Sequence, residues 1–368
     1  MNLKEKKHIV LIGGGHTHAL VLYALKKEPV ENAHVTVINP ETTAPYSGML
    51  PGFVAGHYGR NELDIDLQIL SRNVRADLIV DKAVSIDADK RIIFLSDAAE
   101  LAYDLASIDI GITSHMHTLP GFTEYAIPAK PLGEFSLKWD MYRASTGAKH
   151  VIVIGGGIAG VELAMAMAFA LNASTEEVSV KLLDRSRILA QSNAKTNSFL
   201  RERLKLNNVQ IMEYVDIVEV LSTGVKLSDG SNIDANFVVG TAGATPHAWL
   251  EDTGLTLHDG FIEISETLQS SDPHIFAVGD CAHMTFNPRP KAGVYAVRQA
   301  PVLLRNLRNV LSHSELETYH PQSDYLKLVS LGSKRAFGEK NGISMAGRIM
   351  WNLKNHIDRK FMLQFRMN

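Results

Sequence analysis

One pattern is written twice in this chain. The apolar run His8-Ile9-Val10-Leu11-Ile12 leads into Gly13-Gly14-Gly15, and the run Val151-Ile152-Val153-Ile154 leads into Gly155-Gly156-Gly157. Each run reads as a parallel strand buried on both faces. Each is followed by a helical stretch (18–27 and 159–173), then by a second β-rich run (35–38 and 178–183). Strand, glycine turn, helix, strand is the βαβ unit of dinucleotide-binding α/β folds, and the internal repeat predicts two such domains.

The turn chemistry is specific. Its first glycine permits the tight turn, its second lets the backbone approach a pyrophosphate, and the helix start then offers unpaired N–H groups to phosphate oxygens. The second copy is complete: Gly155, Gly157 and Gly160, with Ile158 opening the helix and Asp184, followed by Arg185, ending the next strand, where an acid accepts from ribose hydroxyls. The first copy has Gly13 and Gly15, then His16 and Thr17, but His18 stands where the third glycine belongs and Asn39 where the acid belongs. His18 needs a wider helix–strand gap or has a polar role near the cofactor, and Asn39 keeps hydrogen-bonding capacity without charge. One such motif is as often a bare turn, but two in the required context favour cofactors strongly.

Further motifs extend the pattern. Residues 267–280, TLQSSDPHIFAVGD, end in Gly279-Asp280, whose acid can reach the ribityl hydroxyls of FAD or, through water, its phosphates. Residues 238–246, VVGTAGATP, are a strand entering a glycine turn at Ala242 and Gly243, a common mark of the crossover between FAD and NAD domains. Residues 109–113, DIGIT, containing Gly111, look like the matching first crossover in degenerate form.

Together these motifs resemble the pyridine nucleotide–disulfide oxidoreductase superfamily, within it the type II NADH dehydrogenase and sulfide:quinone reductase branch. Closer still, the chain is similar to the flavoprotein module found alone or fused ahead of selenide, water dikinase. GGGHTHA (13–19), PYSGMLPG (45–52), KAGVYAVRQAPVLLRNL (291–307) and WNLKNHIDRKFM (351–362) carry that likeness, which spans nearly the whole chain. His18 and Asn39 are expected features of the subgroup. No kinase module follows, so selenophosphate synthesis is not expected.

The resemblance implies an α/β fold with two Rossmann-like domains: an FAD domain (1–114 and 247–312) interrupted by an NAD(P) domain (115–246), with Pro120, Pro128 and Pro131 marking the linker. A C-terminal segment (313–368) would add a strand and an amphipathic helix. It implies hydride transfer from the nicotinamide C4 to the flavin N5, with the protein stacking and tuning the rings. Glu162 sits like the glutamate that borders the nicotinamide in relatives, and equally like a helix-start acid favoured by the dipole. Lys291-Ala292-Gly293 opens a helix whose N-terminus faces the pyrimidine end of the flavin in relatives, where Lys291 would add a charge. The loop carrying Tyr46, Ser47, Gly48 and Met49 occupies the place where disulfide reductases hold their cysteine pair, but has no cysteine. Glu162, Lys291 and Tyr46 are therefore the expected catalytic residues.

Cys281 is the single cysteine, so a dithiol relay and the two-cysteine sulfide:quinone mechanism are excluded within one chain. Its place after Gly279-Asp280 points to structural burial. His16, His18, His115 and His117 lack partners at ligand spacing, so no metal is expected. A net charge of −3 gives no reason to expect nucleic acid as a partner. The basic and apolar start of the chain (1–10) runs straight into the first glycine turn, which reads as a strand and not a leader. The longest apolar stretch (158–171) is too short to span a bilayer and contains Glu162. A cytoplasmic protein, or one peripheral to a membrane, is expected.

Charge is uneven: residues 334–368 hold eight Lys/Arg and two acids, +6, leaving −9 on the rest. Ala346, Met350, Leu353, Ile357 and Phe361 follow helical spacing, with Lys354, Arg359, Lys360 and Arg366 supplying charge. Such a helix either packs on the FAD domain or a second subunit, which is the commoner outcome, or lies on an anionic membrane. Either way it is expected to shape an acceptor entrance near Tyr46 and Gln299. The leading expectation is an FAD-dependent NAD(P)H dehydrogenase, preferring NADH because Asp184 repels a 2′-phosphate, that reduces a quinone or similar acceptor. Alternatives are a reductase of a soluble protein or of a selenium or sulfur compound, and a redox-sensing flavoprotein without turnover. The sequence leaves oligomeric state open.

Overall fold

The computed structural model describes residues 6–172 and 177–366. Along the chain come β1 (Lys7–Ile12), α1 (His16–Leu25), β2 (Ala33–Asn39), β3 (Asp77–Val80) and β4 (Leu105–Ile108). There follow β5 (Ala126–Pro128), α2 (Leu132–Ala144), β6 (Lys149–Ile154), α3 (Ile158–Leu171), β7 (Val178–Asp184), β8 (Val209–Glu213) and β9 (Phe237–Gly240). β10 (Ile275–Ala277), α4 (Gly293–Ser312), β11 (Lys327–Leu331), β12 (Ser333–Lys340), β13 (Ile343–Gly347) and α5 (Arg348–Arg366) complete the larger elements. The stretches 1–5 and 173–176, which include part of the basic start and the predicted end of the second helix, lie outside the described residues.

Two five-stranded parallel sheets carry the fold, in orders β10-β4-β1-β2-β3 and β5-β9-β6-β7-β8. In each, the strand before the glycine turn is central, with its βαβ partner on one side and a crossover strand on the other. Unbroken apolar runs suit such strands because helices cover both faces. β10 joins the first sheet although the whole second sheet precedes it in sequence, so the first unit is interrupted by the second. Pro128 and Pro131 do not lie in a linker: Pro128 ends β5 within the second sheet, and Pro131 caps α2. α2 reaches back to the first unit, where the Trp139 indole N–H donates to Val54 O at 3.1 Å.

The C-terminal residues form an antiparallel meander, β11-β12-β13, with α5 packed on β12. The buried face of α5 is Met350, Trp351, Lys354, Asp358, Met362 and Phe365. That face is rotated from the expected stripe: Ile357 is 40% exposed, and Ala346 is not in the helix but in β13. The reason is polar, because Lys354 and Asp358 turn inward as an ion pair. No helix among the described residues is long and apolar enough to cross a membrane.

Candidate functional site: two glycine turns and the flavin loop

The two turns share a backbone plan. Gly13 and Gly155 adopt φ of +93° and +117°, which side chains rarely allow. A Cβ at Gly13 would lie 2.4 Å from Asp109 O, and one at Gly155 2.7 Å from Ala242 N. The Gly14 N–H donates to Asn39 Oδ1 at 2.9 Å, and the Gly156 N–H to Asp184 Oδ2 at 2.6 Å. Asn39 Nδ2 also donates to Glu41 O and Thr43 O, while Asp184 Oδ1 accepts from the Ser186 N–H and hydroxyl. Both side chains thus tie their turn first, and only their spare lone pairs remain for a ribose.

His18 explains the missing third glycine. Its ring is fully buried, with Nδ1–H donating to Gly13 O at 2.7 Å and Nε2 accepting from the Ser107 hydroxyl at 2.8 Å. Burial lowers its pKa to about 4, so it is neutral and fixed in that tautomer. Its role is to support the turn from beneath, while Thr17 ties α1 to α4 through Ala296 O.

The first turn also holds a carboxylate that the motif reading passed over. Asp109 Oδ2 accepts from the N–H groups of Thr17 and His18 at 2.9 and 3.2 Å, capping the first turn of α1 from the end of β4. A carboxylate inside the apolar run 105–112 was the available signal. Asp109 sits between the two sequence signatures: a Cβ at Gly15 would fall 2.3 Å from its Oδ1, and one at Gly279 would fall 2.5 Å from the same atom. Burial, with the like charge of Asp280, raises its pKa to about 7.

Asp280 pairs with Lys130 at 3.1 Å, and both bear electrostatically on the half-buried His16, whose pKa is lowered to about 4 by desolvation. Gln299 is not at an entrance. It is 1% exposed and its Oε1 accepts from the Gly279 N–H, fixing the turn at φ +68°. The Lys291 ammonium donates to Ala282 O at 2.6 Å and lies 3.8 Å from the Phe261 ring centroid; Ala292 caps α4 and Gly293 begins it. A Cβ at Gly293 would meet His16 Nδ1 at 3.2 Å and Ser47 Oγ at 3.9 Å, so the α4 start, the first turn and the loop 45–52, called the flavin loop after its expected neighbour, converge. Cys281 is buried, its thiol donating to Ile108 O and Val278 O, and burial pushes its pKa to about 12.

The flavin loop is closed by α5. The Tyr46 ring stacks on Phe361 at 4.5 Å and meets His16 edge-on; its hydroxyl donates to Asp358 Oδ1 at 3.2 Å. Lys354 Nζ donates to Gly48 O and, at 2.7 Å, to Asp358 Oδ2, with both side chains under 10% exposed. Met49 is buried beneath. Glu162, on α3, accepts from the Ser330 N–H of β11; burial raises its pKa to about 7 against the pull of Lys354. Tyr46 is thus bonded to a Lys354–Asp358 pair whose charges bear on Glu162 electrostatically, and residue spacing on α5 alone does not mark that pair as buried.

The second turn is open. Residues 157–159 are exposed, no atom lies within 4 Å of a Cβ placed at Gly157, and among the described residues the N–H groups of Ile158, Ala159 and Gly160 are unpaired. Such a cradle fits a pyrophosphate. Gly111 and Gly243, at φ +69° and +77°, turn the two crossovers, which a pair of 2.9 Å bonds between Thr113 and Thr245 holds together. The residues present fit two dinucleotides.

The pyridine nucleotide-disulphide oxidoreductase family model matches residues 7–300. The chain belongs to that family. It is an FAD-dependent NAD(P)H oxidoreductase with the family's two cofactors. It is 24% identical over 367 residues to the NADH dehydrogenase-like protein YutJ of Bacillus subtilis, covering 95% of this chain and 99% of that one. Its fold matches NDH2 from Plasmodium falciparum in complex with NADH, with a TM-score of 0.80 at 14% identity and 98% of each chain covered. It also matches the sulfide:quinone oxidoreductase of Aquifex aeolicus, with a TM-score of 0.78 at 17% identity, covering 98% of this chain and 91% of that one.

Proposed function

We propose that this chain oxidises NADH at FAD and delivers the electrons to a quinone-like acceptor admitted beside α5. The observation that carries the reading is the seal of α5 on the flavin loop through Tyr46, Phe361, Lys354 and Asp358. FAD when bound supplies a group that accepts hydride and releases electrons singly or in pairs. The chain's own residues divide the remaining work. The α3 start receives the NADH pyrophosphate, Asp184 faces the ribose, and Glu162 stands beside the nicotinamide end. Tyr46 and Phe361 give an aromatic approach of the kind a planar apolar acceptor uses.

The outer face of this module supports peripheral contact with an anionic membrane. Ile343 and Ile349 are 78% and 71% exposed, Met345 and Leu363 more than half, among the basic residues of the tail. One protein of similar fold is named a sulfide:quinone oxidoreductase, so a quinone is an acceptor worth testing first. The same basic surface supports a second reading, reduction of an acidic soluble protein.

Steady-state NADH oxidation by the purified yellow protein separates them. Short-chain quinones should sustain many turnovers per flavin, and anionic vesicles should co-sediment with the protein at low salt. Quinone-independent turnover with an acidic iron–sulfur protein would replace the first reading with the second, and a single reduction without turnover would overturn both. Denaturation should release free FAD.

A further inference from the structure

The two glycine turns differ in one respect that the cofactor motif does not explain. α3 leaves three first-turn N–H groups free among the described residues, whereas α1 leaves only that of His16, because Asp109 Oδ2 already holds those of Thr17 and His18. A helix start attracts one anion readily, since its partial positive charge is about half a unit. At α1 the protein has supplied that anion itself, in the place where the family's cofactor brings two more negative charges.

We propose that Asp109 takes up a proton when FAD binds and presents it from Oδ1 to the pyrophosphate, so that the neutral acid is the form that retains the flavin. The geometry gives each oxygen a distinct task. Oδ2 holds two backbone donors, the Thr17 hydroxyl close by gives its proton to Ala296 O, and Oδ1 receives no hydrogen bond from the described residues although the residue is 3% exposed. An ionised Oδ1 would confront phosphate oxygens with a like charge in a buried site. A protonated Oδ1 becomes a donor beside the free His16 N–H and restores the turn's capacity for an anion.

Burial and the charged groups facing Asp109 favour this state, against the Thr17 and His18 N–H groups and the Thr17 hydroxyl, which favour the ionised form. From α1 come His16 and His18, both held neutral by burial with pKa values of about 4. From the turn after β10 come Asp280, whose negative charge opposes ionisation of Asp109, and the protonated Cys281 thiol. The nearest cations are committed elsewhere: Lys130 pairs with Asp280, and Lys291 donates to Ala282 O. α4 contributes only the neutral Ala296 and Gln299 at this point. The inference rests on FAD as the cofactor and is independent of the acceptor, so the two readings fail separately.

The test uses the FAD-loaded protein, diluted until flavin dissociates and followed by the fluorescence of free FAD from about pH 6.5 to about pH 9. One proton bound with the cofactor makes Kd rise by up to about tenfold per pH unit above the pKa of the free site. Asp109→Asn keeps an oxygen for Thr17 and His18 and a permanent donor on the other side, so its Kd should be tight and flat across that range. A flat wild-type curve, or an Asp109→Asn variant that keeps the wild-type slope, overturns the proposal. Infrared spectra of the wild-type holoprotein at about pH 8 give a second readout that needs no variant. A protonated carboxyl C=O band that shifts in D2O supports the proposal, and its absence overturns it.

Discussion

Replacing Lys354 by Met tests how α5 is held against the flavin loop. The substitution removes the cation of a buried pair and leaves Asp358, 4% exposed, with only the Tyr46 hydroxyl as a donor among the described residues. It also strips Gly48 O of its Lys354 donor. Breaking a buried pair from one side costs about 3–5 kcal/mol, because the remaining charge stays desolvated. For the 368-residue chain unfolding with the usual entropy per residue this corresponds to a Tm lower by roughly 4–7 °C. Removing both charges, as Lys354→Met with Asp358→Leu, leaves two polar groups short of a partner at about 1 kcal/mol each, so the double variant should be more stable than the single one. Asp358 already has a raised pKa through burial, and losing Lys354 raises it further, so the single variant's deficit should shrink as pH falls and the carboxyl protonates. Thermal unfolding of the FAD-loaded proteins at about pH 5 and about pH 8 reads all three effects. A single variant as stable as wild type, or a double variant no better than the single, refutes the argument.

Three further outcomes are expected. Glu162 has a folded pKa raised by burial above its unfolded value, so it contributes a loss of stability as pH rises from about 4.3 to about 7; Glu162→Gln should flatten that part of the Tm–pH curve, and an unchanged curve would contradict the burial assigned to it. NADH should reduce the flavin faster than NADPH in stopped flow, because the Asp184 carboxylate at the end of β7 opposes a 2′-phosphate, and equal rates would show that Arg185 and Arg187 outweigh it. Cys281→Ala should keep turnover and lose about 1–2 kcal/mol of stability, since the thiol packs between Ile108 and Val278; loss of turnover in a folded variant would give Cys281 a chemical role.

Sequence reading worked where one residue type has one physical reason to be present. Gly13, Gly155 and Gly160 are required by backbone geometry, and parallel strands require unbroken apolar runs, so both sheets and both turns were legible. It failed where a polar side chain points inward. Lys354 looked like surface charge because lysine is almost never fully buried, yet its partner Asp358 lies one helical turn away on the same face. Counting that pair as buried would have rotated the predicted face of α5 to the observed one. The helix alone suggests an entrance position for Gln299, and its bond to Gly279 follows only from the return of β10 to the first sheet. Asp109 is intermediate: a charge inside an apolar strand end demands a donor, but which helix supplies it depends on the pairing of β4 with β1.

The contrast between the turns has a consequence for how such a duplicated fold divides its labour. A cofactor that stays through many turnovers gains from a cradle closed by the protein, while one that leaves each cycle needs its phosphate site open to solvent. The first turn has the closed character: Thr17 and His18 are fully buried, a histidine fills the third-glycine position, and a neutral Asn39 ends β2. The second has the open character: residues 157–159 are exposed, glycine keeps the third position, and the charged Asp184 ends β7. Duplication accounts for the shared hydrogen bond at Gly14 and Gly156. Divergence lies in what surrounds that bond, and Asp109 is its sharpest instance, because it has no counterpart in the second turn, where Thr241 follows β9 and its hydroxyl donates to backbone carbonyls. If one turn is to bind permanently and the other transiently, the first can carry a proton-linked acid that would be a hindrance in the second.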